Sequence, residues 1–214
     1  LHETGVVDVG ATDDSSVYYR SSTRAAPHNL YSSTAALRQR TPPDAGPPPR
    51  LFKYLAPGAS FDPPGSQAVS QMSVAYSGAT TAQWAYQPAV KQWARTTDGV
   101  PQTAIPTGPL EFTNVIVEYV NYVSAGFVDP AGNPVPMAVT VGSGGGYSLC
   151  DGRLVAIRWS KASASAVTQF YLSDGSPLLL EPGTTFVMLV PAGQPITTVP
   201  ASAAAAVGAP LSGS

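Results

Sequence analysis

Arg20 and Arg24 stand four residues apart in the run YYRSSTRAAPHNLYSST (residues 18–34), in a chain of 214 residues that has only 11 lysines and arginines. His28, one of two histidines, follows in the same run beside Asn29 and Tyr31. On an extended segment, residues four apart share a face. Two guanidiniums on one face make a fork suited to a carboxylate or a phosphate. A histidine at position 28 could act as acid, base or hydrogen-bond donor, while Asn29 favours local turn bonding. The binding reading makes Arg20, Arg24, His28, Asn29 and Tyr31, with Arg95 further along, the candidate ligand residues. A catalytic alternative is a hydrolase or transferase, with His28 as general base and the arginines holding an anionic substrate. It requires a nucleophile or a water-positioning carboxylate within about 3 Å of His28. A purely structural reading competes with both: Arg24 pairs with Asp13 or Asp14, and His28 and Asn29 satisfy loop carbonyls.

Other motifs point less sharply. GSGGGY (residues 142–147) fits neither the dinucleotide fingerprint nor the phosphate loop, because no Lys-Ser/Thr follows and no helix begins there. It reads as a glycine-rich turn or bulge. Cys150 is the single cysteine; it has no disulfide partner, and its default role is a small buried hydrophobe. No G-x-S-x-G elbow occurs. Two distant histidines and scattered acids offer no metal-ligand spacing, so neither metal nor cofactor is expected. Trp84, Tyr86 and Trp93, with Arg95 beside them, could stack on sugar rings or anchor a partner. The competing role for large aromatics on strands is core packing.

Composition limits the remaining classes. Only 11% of residues are charged and the net charge is −2, against a usual charged share of about 25%. No basic field exists to attract nucleic acid. The 22 prolines are spread along the chain and disfavour long helices, each interior proline costing about 3 kcal/mol. No apolar run reaches the roughly 18 residues that a spanning helix needs.

The elements follow from periodicity. GVVDVG and VYY read as short strands, and SSTAALRQR as a helix capped by Ser32 or Ser33 and stopped by Pro42. A proline-rich connector, the strand LFKYL and a Pro/Gly/Ser loop come next. AVSQMSVAYS then alternates with some slip in register. QWAYQPAVKQWAR reads as a hairpin, TNVIVEYVNYV as a strand dense in Val, Ile and Tyr, and Asp151-Gly152 and Asp174-Gly175 as turns. The expected fold is α+β and predominantly antiparallel β, with a sandwich- or barrel-like C-terminal β-domain. Residues 1–54 are expected to be the end of an N-terminal α/β domain, 55–67 a linker, 68–199 the β-domain and 200–214 a low-complexity tail.

The order VYYRSSTRAAPHNLYSST, WAYQPAVKQWAR, TNVIVEYV, GSGGGYSLCDGRLVAIRWSK, SDGSPLLLEPGTTFVMLVP resembles the YerB-like bacterial lipoproteins, the family of domain of unknown function 3048. R-x-x-x-R-x-A-P-H-N-L is the most specific part. The resemblance implies an exported envelope protein, anchored by a lipid on a cysteine upstream of this sequence, with about half of the N-terminal domain also upstream. The membrane would be met only through that anchor. It implies no settled reaction. The reading that follows is a non-catalytic binding module for an anionic or carbohydrate-bearing envelope ligand or a protein partner.

Overall fold

Alternating apolar residues and turn residues every 10 to 15 positions build the chain mostly from strands. The computed structural model describes residues 15–26, 28–47, 49–76, 80–104, 108–129 and 131–201. The expected strand GVVDVG, His2, Asp13, Asp14 and most of the expected tail lie outside them. The chain divides into two units: residues 1–50 with 163–167, and residues 51–162 with 168–214.

In the first unit a 3-10 turn (Ser15–Val17) leads into β1 (Tyr18–Arg20), which pairs antiparallel with β2 (Leu30–Ser32). Helix α1 (Thr34–Arg38) follows. Ser33 caps it, its Oγ accepting from the Ala36 N–H at 3.0 Å, which satisfies one of the orphan donors of a helix start.

The second unit contains β3 (Lys53–Tyr54), β4 (Gln67–Ala75), β5 (Thr81–Gln87), β6 (Gln92–Thr97), β7 (Val100–Pro101), β8 (Thr103–Ala104), β9 (Gly108–Pro109), β10 (Glu111–Phe112) and β11 (Asn114–Val128). It continues with β12 (Pro134–Val139), β13 (Gly142–Cys150), β14 (Arg153–Lys161), β15 (Gln169–Tyr171), β16 (Leu179–Leu180), β17 (Thr185–Pro191) and β18 (Ile196–Pro200). Twelve of these form one sheet whose main path is β10-β6-β5-β4-β14-β13-β11-β12, with β17 parallel to β11. The fold is predominantly antiparallel β, and the sheet curls into a half-barrel. The slip expected in AVSQMSVAYS is a bulge: Val199 faces Gln71 while Pro200 faces Val69.

The curl is visible in the packing. Four strands separate Trp84 on β5 from β17 in sheet order, yet its ring centroid lies 5.1 Å from that of Phe186 and its Nε1–H donates to Met188 Sδ at 3.1 Å. Val69, Met72, Val74, Trp84, Trp93, Val115, Val117, Leu149, Met188 and Val190 fill this concave core. The opposite face of β11, β13 and β14 carries a second core, in which Ile116, Cys150, Val155 and Ile157 pack on Phe61, Leu172, Leu178 and Leu180.

The glycine run is neither turn nor bulge. It lies inside β13, which pairs with β14 in unbroken register from Gly142–Lys161 to Cys150–Arg153. Close approach explains the residue choice: a Cβ on Gly146 would strike the Val117 carbonyl oxygen, and one on Gly144 would reach the Trp159 indole. At Gly145 an added Cβ would meet nothing within 4 Å. Gly146→Ala is therefore expected to cost about 1–3 kcal/mol and Gly145→Ala less than about 0.5 kcal/mol, read from urea unfolding midpoints. Equal midpoints would refute the packing account.

Candidate functional site

The first unit holds five of the six sequence candidates. β1 ends at Arg20, where the Ser21 N–H bonds the Asn29 carbonyl at 2.8 Å and closes a loop over residues 21–29. Arg24 therefore lies in that loop and does not share a strand face with Arg20, as an extended segment would have required. Arg20 Nη1 donates to Asn29 Oδ1 at 2.7 Å, and Asn29 Nδ2 donates to the Ser21 carbonyl at 3.1 Å. Asn29 thus ties the loop's two ends to Arg20. Tyr31 stacks on Tyr19, directly opposite it, at 6.0 Å between centroids. Arg24 and His28 are exposed, and the His28 N–H donates to the Ala25 carbonyl at 3.1 Å. Asp13 and Asp14, the suggested partners of Arg24, fall outside the described residues.

Arg95 belongs to the second unit. It lies on β6 directly opposite Trp84, and its guanidinium carbon sits 4.9 Å from the Phe186 ring centroid and 5.8 Å from that of Trp84. Phe112 meets both rings edge-on. A guanidinium over ring faces gains about 0.5–2 kcal/mol from the ring quadrupoles and is fixed in orientation. Its Nε is sealed from solvent with no hydrogen-bond partner among the described residues, as are Trp93 Nε1 and Thr97 Oγ1. Residues 93, 95 and 97 alternate onto one face of β6. An unpaired buried donor costs about 1–3 kcal/mol, so three on one strand face demand a physical reason. The positive charge also acts on the Tyr76 hydroxyl, although burial is the larger effect and raises its pKa. Tyr76 therefore stays protonated and able to donate at neutral pH.

The aromatic hairpin itself is core. Trp84 and Trp93 are fully buried and Trp159 nearly so. Tyr86 packs on Trp93 on one side, with ring centroids 5.1 Å apart, and against Gly152 on another. Trp84 and Trp93 present no stacking surface, because curling the sheet turns their rings inward, while Tyr86 is half-buried and lines a cleft.

A second group of polar residues, missed in the sequence, surrounds the Asp151-Gly152 turn. Tyr86 donates to Asp151 Oδ1 at 2.7 Å, with Lys91 Nζ 3.6 Å from the same oxygen. Arg153 reaches Asp62 at 2.7 Å and Ser66 Oγ at 2.9 Å. Asp62, Asp151 and Arg153 line a cleft of about 630 Å³. Beyond Phe61 a largely apolar hollow of about 440 Å³ opens between Leu55, Leu172 and Leu178. Cys150 beside the turn is fully buried, and burial pushes its thiol up to about 12, which suits a core residue and not a nucleophile. Among the described residues, no three His, Cys, Asp or Glu side chains gather to hold a metal ion.

Glu118 is the other residue missed. It is 5% exposed in the middle of β11, facing Gly146 on β13. Burial pushes its carboxyl up to about 7, against the pull of Lys161. One acid inside VIVEYV, an otherwise apolar strand, was the sequence signal.

The family model described as "Protein of unknown function (DUF3048) C-terminal domain" matches residues 72–187. Among solved structures, the YerB protein from Bacillus subtilis matches with a TM-score of 0.64 and 18% identity over 87% of this chain. The chain spans 62% of that protein's length. At this identity the likeness concerns the fold. No curated protein matches.

Two outcomes follow for stability. Arg24→Ala and His28→Ala alter exposed side chains and should each change stability by less than about 0.5 kcal/mol, measured by thermal unfolding; a larger loss from either would make the loop architecture. For Glu118 the folded pKa lies above the unfolded one, so folding favours the protonated form. Stability should fall as pH rises from about 4.5 to about 7, by about 3 kcal/mol in all. Glu118→Gln should remove that slope and raise the midpoint at pH 8 more than at pH 5. Parallel pH profiles for the two proteins would contradict the assignment.

Proposed function

This chain belongs to the DUF3048 family, and we propose that it is a non-catalytic binding module of the cell envelope for a ligand bearing a carboxylate or phosphate, received at Arg95. The envelope setting is the expectation that accompanies the resemblance to the YerB-like lipoproteins. The observation that carries the reading is the guanidinium seated on Phe186 and Trp84, with its Nε–H sealed and unpaired. A cation preorganised on ring faces loses little entropy when an anion arrives. Tyr76 adds a protonated hydroxyl within electrostatic reach of it. The buried aromatics favour an anionic over a sugar-stacking ligand. Cys150, buried and with its thiol pushed up, also makes a poor nucleophile.

The test is a titration of the whole chain with inorganic phosphate and with citrate, following the Arg95 Nε–Hε resonance by NMR. Saturable shifts are expected, together with affinity at least about tenfold weaker in Arg95→Gln, since a charge-assisted hydrogen bond contributes about 1.5–3 kcal/mol. Arg24→Ala, in the first unit, should leave the affinity unchanged. A resonance that does not move, or binding lost with Arg24 and kept without Arg95, would overturn the reading.

A further inference from the structure

Beyond Val120 the strand β11 leaves the sheet. Its pairing to β17 ends at Val120–Pro191 and its pairing to β13 at Glu118–Gly146. From Asn121 onward it pairs only with β12 among the described residues, making a two-stranded ribbon closed at Val128–Pro134. Eight residues of strand reach about 26 Å. A ribbon of two strands is marginal in water unless something covers it.

This ribbon carries an apolar stripe. Val123 faces Met137 and Asn121 faces Val139 across the pair, and directly opposed residues share a face. Val141, exposed as well, follows just past the end of β12. The register shift between Ser124 and Val128 puts Val128 with Pro134, which leaves Phe127, one residue earlier, on the face of Val123 and Met137. All five are exposed, Phe127 at 62% and Met137 at 52%. We propose that this stripe is the surface through which two copies of the chain pair, face to face about a two-fold axis.

Three observations select a second copy over other occupants. The first is charge. From Tyr119 to Val141 the only side chain charged at neutral pH is Asp129, at the tip. A neutral stripe meets its own copy without like-charge repulsion, and antiparallel ribbons keep the two tips apart. The same residue opposes a membrane: Asn133 and Ala131 N–H groups bond its carboxylate at 2.8 and 2.9 Å, holding it ionised at the point that would have to enter lipid. No lysine or arginine lies in the ribbon to meet anionic headgroups. The second is area. The five side chains expose roughly 400 Å² of apolar surface per copy, which at the usual apolar share implies a face of roughly 700 Å², near the roughly 800 Å² of a standard interface. The third is the outer edge. Pro134 and Pro136 stand on β12, and prolines at an edge discourage open-ended strand addition. Face packing, which closes on itself, is left.

Sedimentation equilibrium of the wild-type chain between about 1 and 200 μM tests the pairing, with oxidation of Met137 by dilute peroxide as a second readout at the same concentrations. A monomer–dimer equilibrium in the micromolar range is expected, typical of a modest interface. Met137 oxidation should slow several-fold as dimer forms. Met72 and Met188, both buried, are internal controls. Phe127→Ser with Met137→Thr should be monomeric throughout, with unchanged β-sheet circular dichroism. A wild-type monomer at 200 μM would overturn the proposal, and so would a dimer that persists in the double variant. Met137 oxidation independent of concentration, or a monomer that binds neutral or anionic vesicles through the ribbon, would do the same. The wild-type readouts decide the question even if the double variant fails to fold.

Discussion

The second unit depends on burying both faces of the first half of β11 at once. Val115 and Val117 face the concave core, while Ile116 belongs to the core on the opposite face. Both edges are also used, antiparallel with β13 and parallel with β17. A strand closed on four sides leaves its polar groups no water, so each needs a protein partner. Asn114 meets that demand at the strand's start. Its Nδ2 donates to the Glu181 carbonyl at 2.9 Å and its Oδ1 accepts the Glu181 N–H at 3.2 Å. These bonds fix where the chain before β17 runs, and with it the parallel pair that closes the curl.

That closure places the remaining chemistry. β17 brings Phe186 and Met188 over Trp84, and Arg95 can rest on rings only because the sheet has curled far enough for β6 to face β17. The same demand for close approach strips β13 of side chains at Gly144 and Gly146, letting Trp159 lie across it and donate to the Tyr119 carbonyl at 3.1 Å. Glu118 sits in the space so opened. Its raised pKa is the energetic consequence of placing a carboxyl on a strand buried for packing reasons.

Polar chemistry is thus sorted by how far each group is already satisfied. At the Asp151 turn, Asp151 takes Tyr86 and Lys91, and Asp62 takes Arg153, so these charges mostly serve to hold the turn and the strand β4 near it. On β6 the buried donors have no such partners among the described residues. In the first unit Arg20 is spent on organising its own loop. A buried donor without a partner among the described residues, on an oriented cation, is a stronger mark of a receptor than a satisfied ion pair. Past the second core β11 runs on into the ribbon. Its continued alternation of apolar residues, no longer covered by a neighbouring sheet, is what leaves a stripe for a second copy.

Much of this fold could be read from local pattern. Alternation marked β4, the aromatic run marked the β5–β6 hairpin, the density of Val, Ile and Tyr marked β11, Ser32 or Ser33 marked the helix start, and Asp151-Gly152 marked a turn, because each depends on residues adjacent in the chain. Family membership was also legible, through the ordered motifs between residues 17 and 191. Tertiary structure alone decided the rest, since it depends on neighbours far apart in sequence. The glycines of β13 looked like a turn because their reason, the Val117 carbonyl and the Trp159 indole, lies on other strands. Arg20 and Arg24 looked like a fork because the Ser21–Asn29 bond that ends the strand spans eight residues. Trp84 and Trp93 could have faced either way until the sheet curled. Arg95 was visible in sequence as a cation near aromatics, but its seat includes Phe186, 91 residues away, and only the curl brings that ring beneath it.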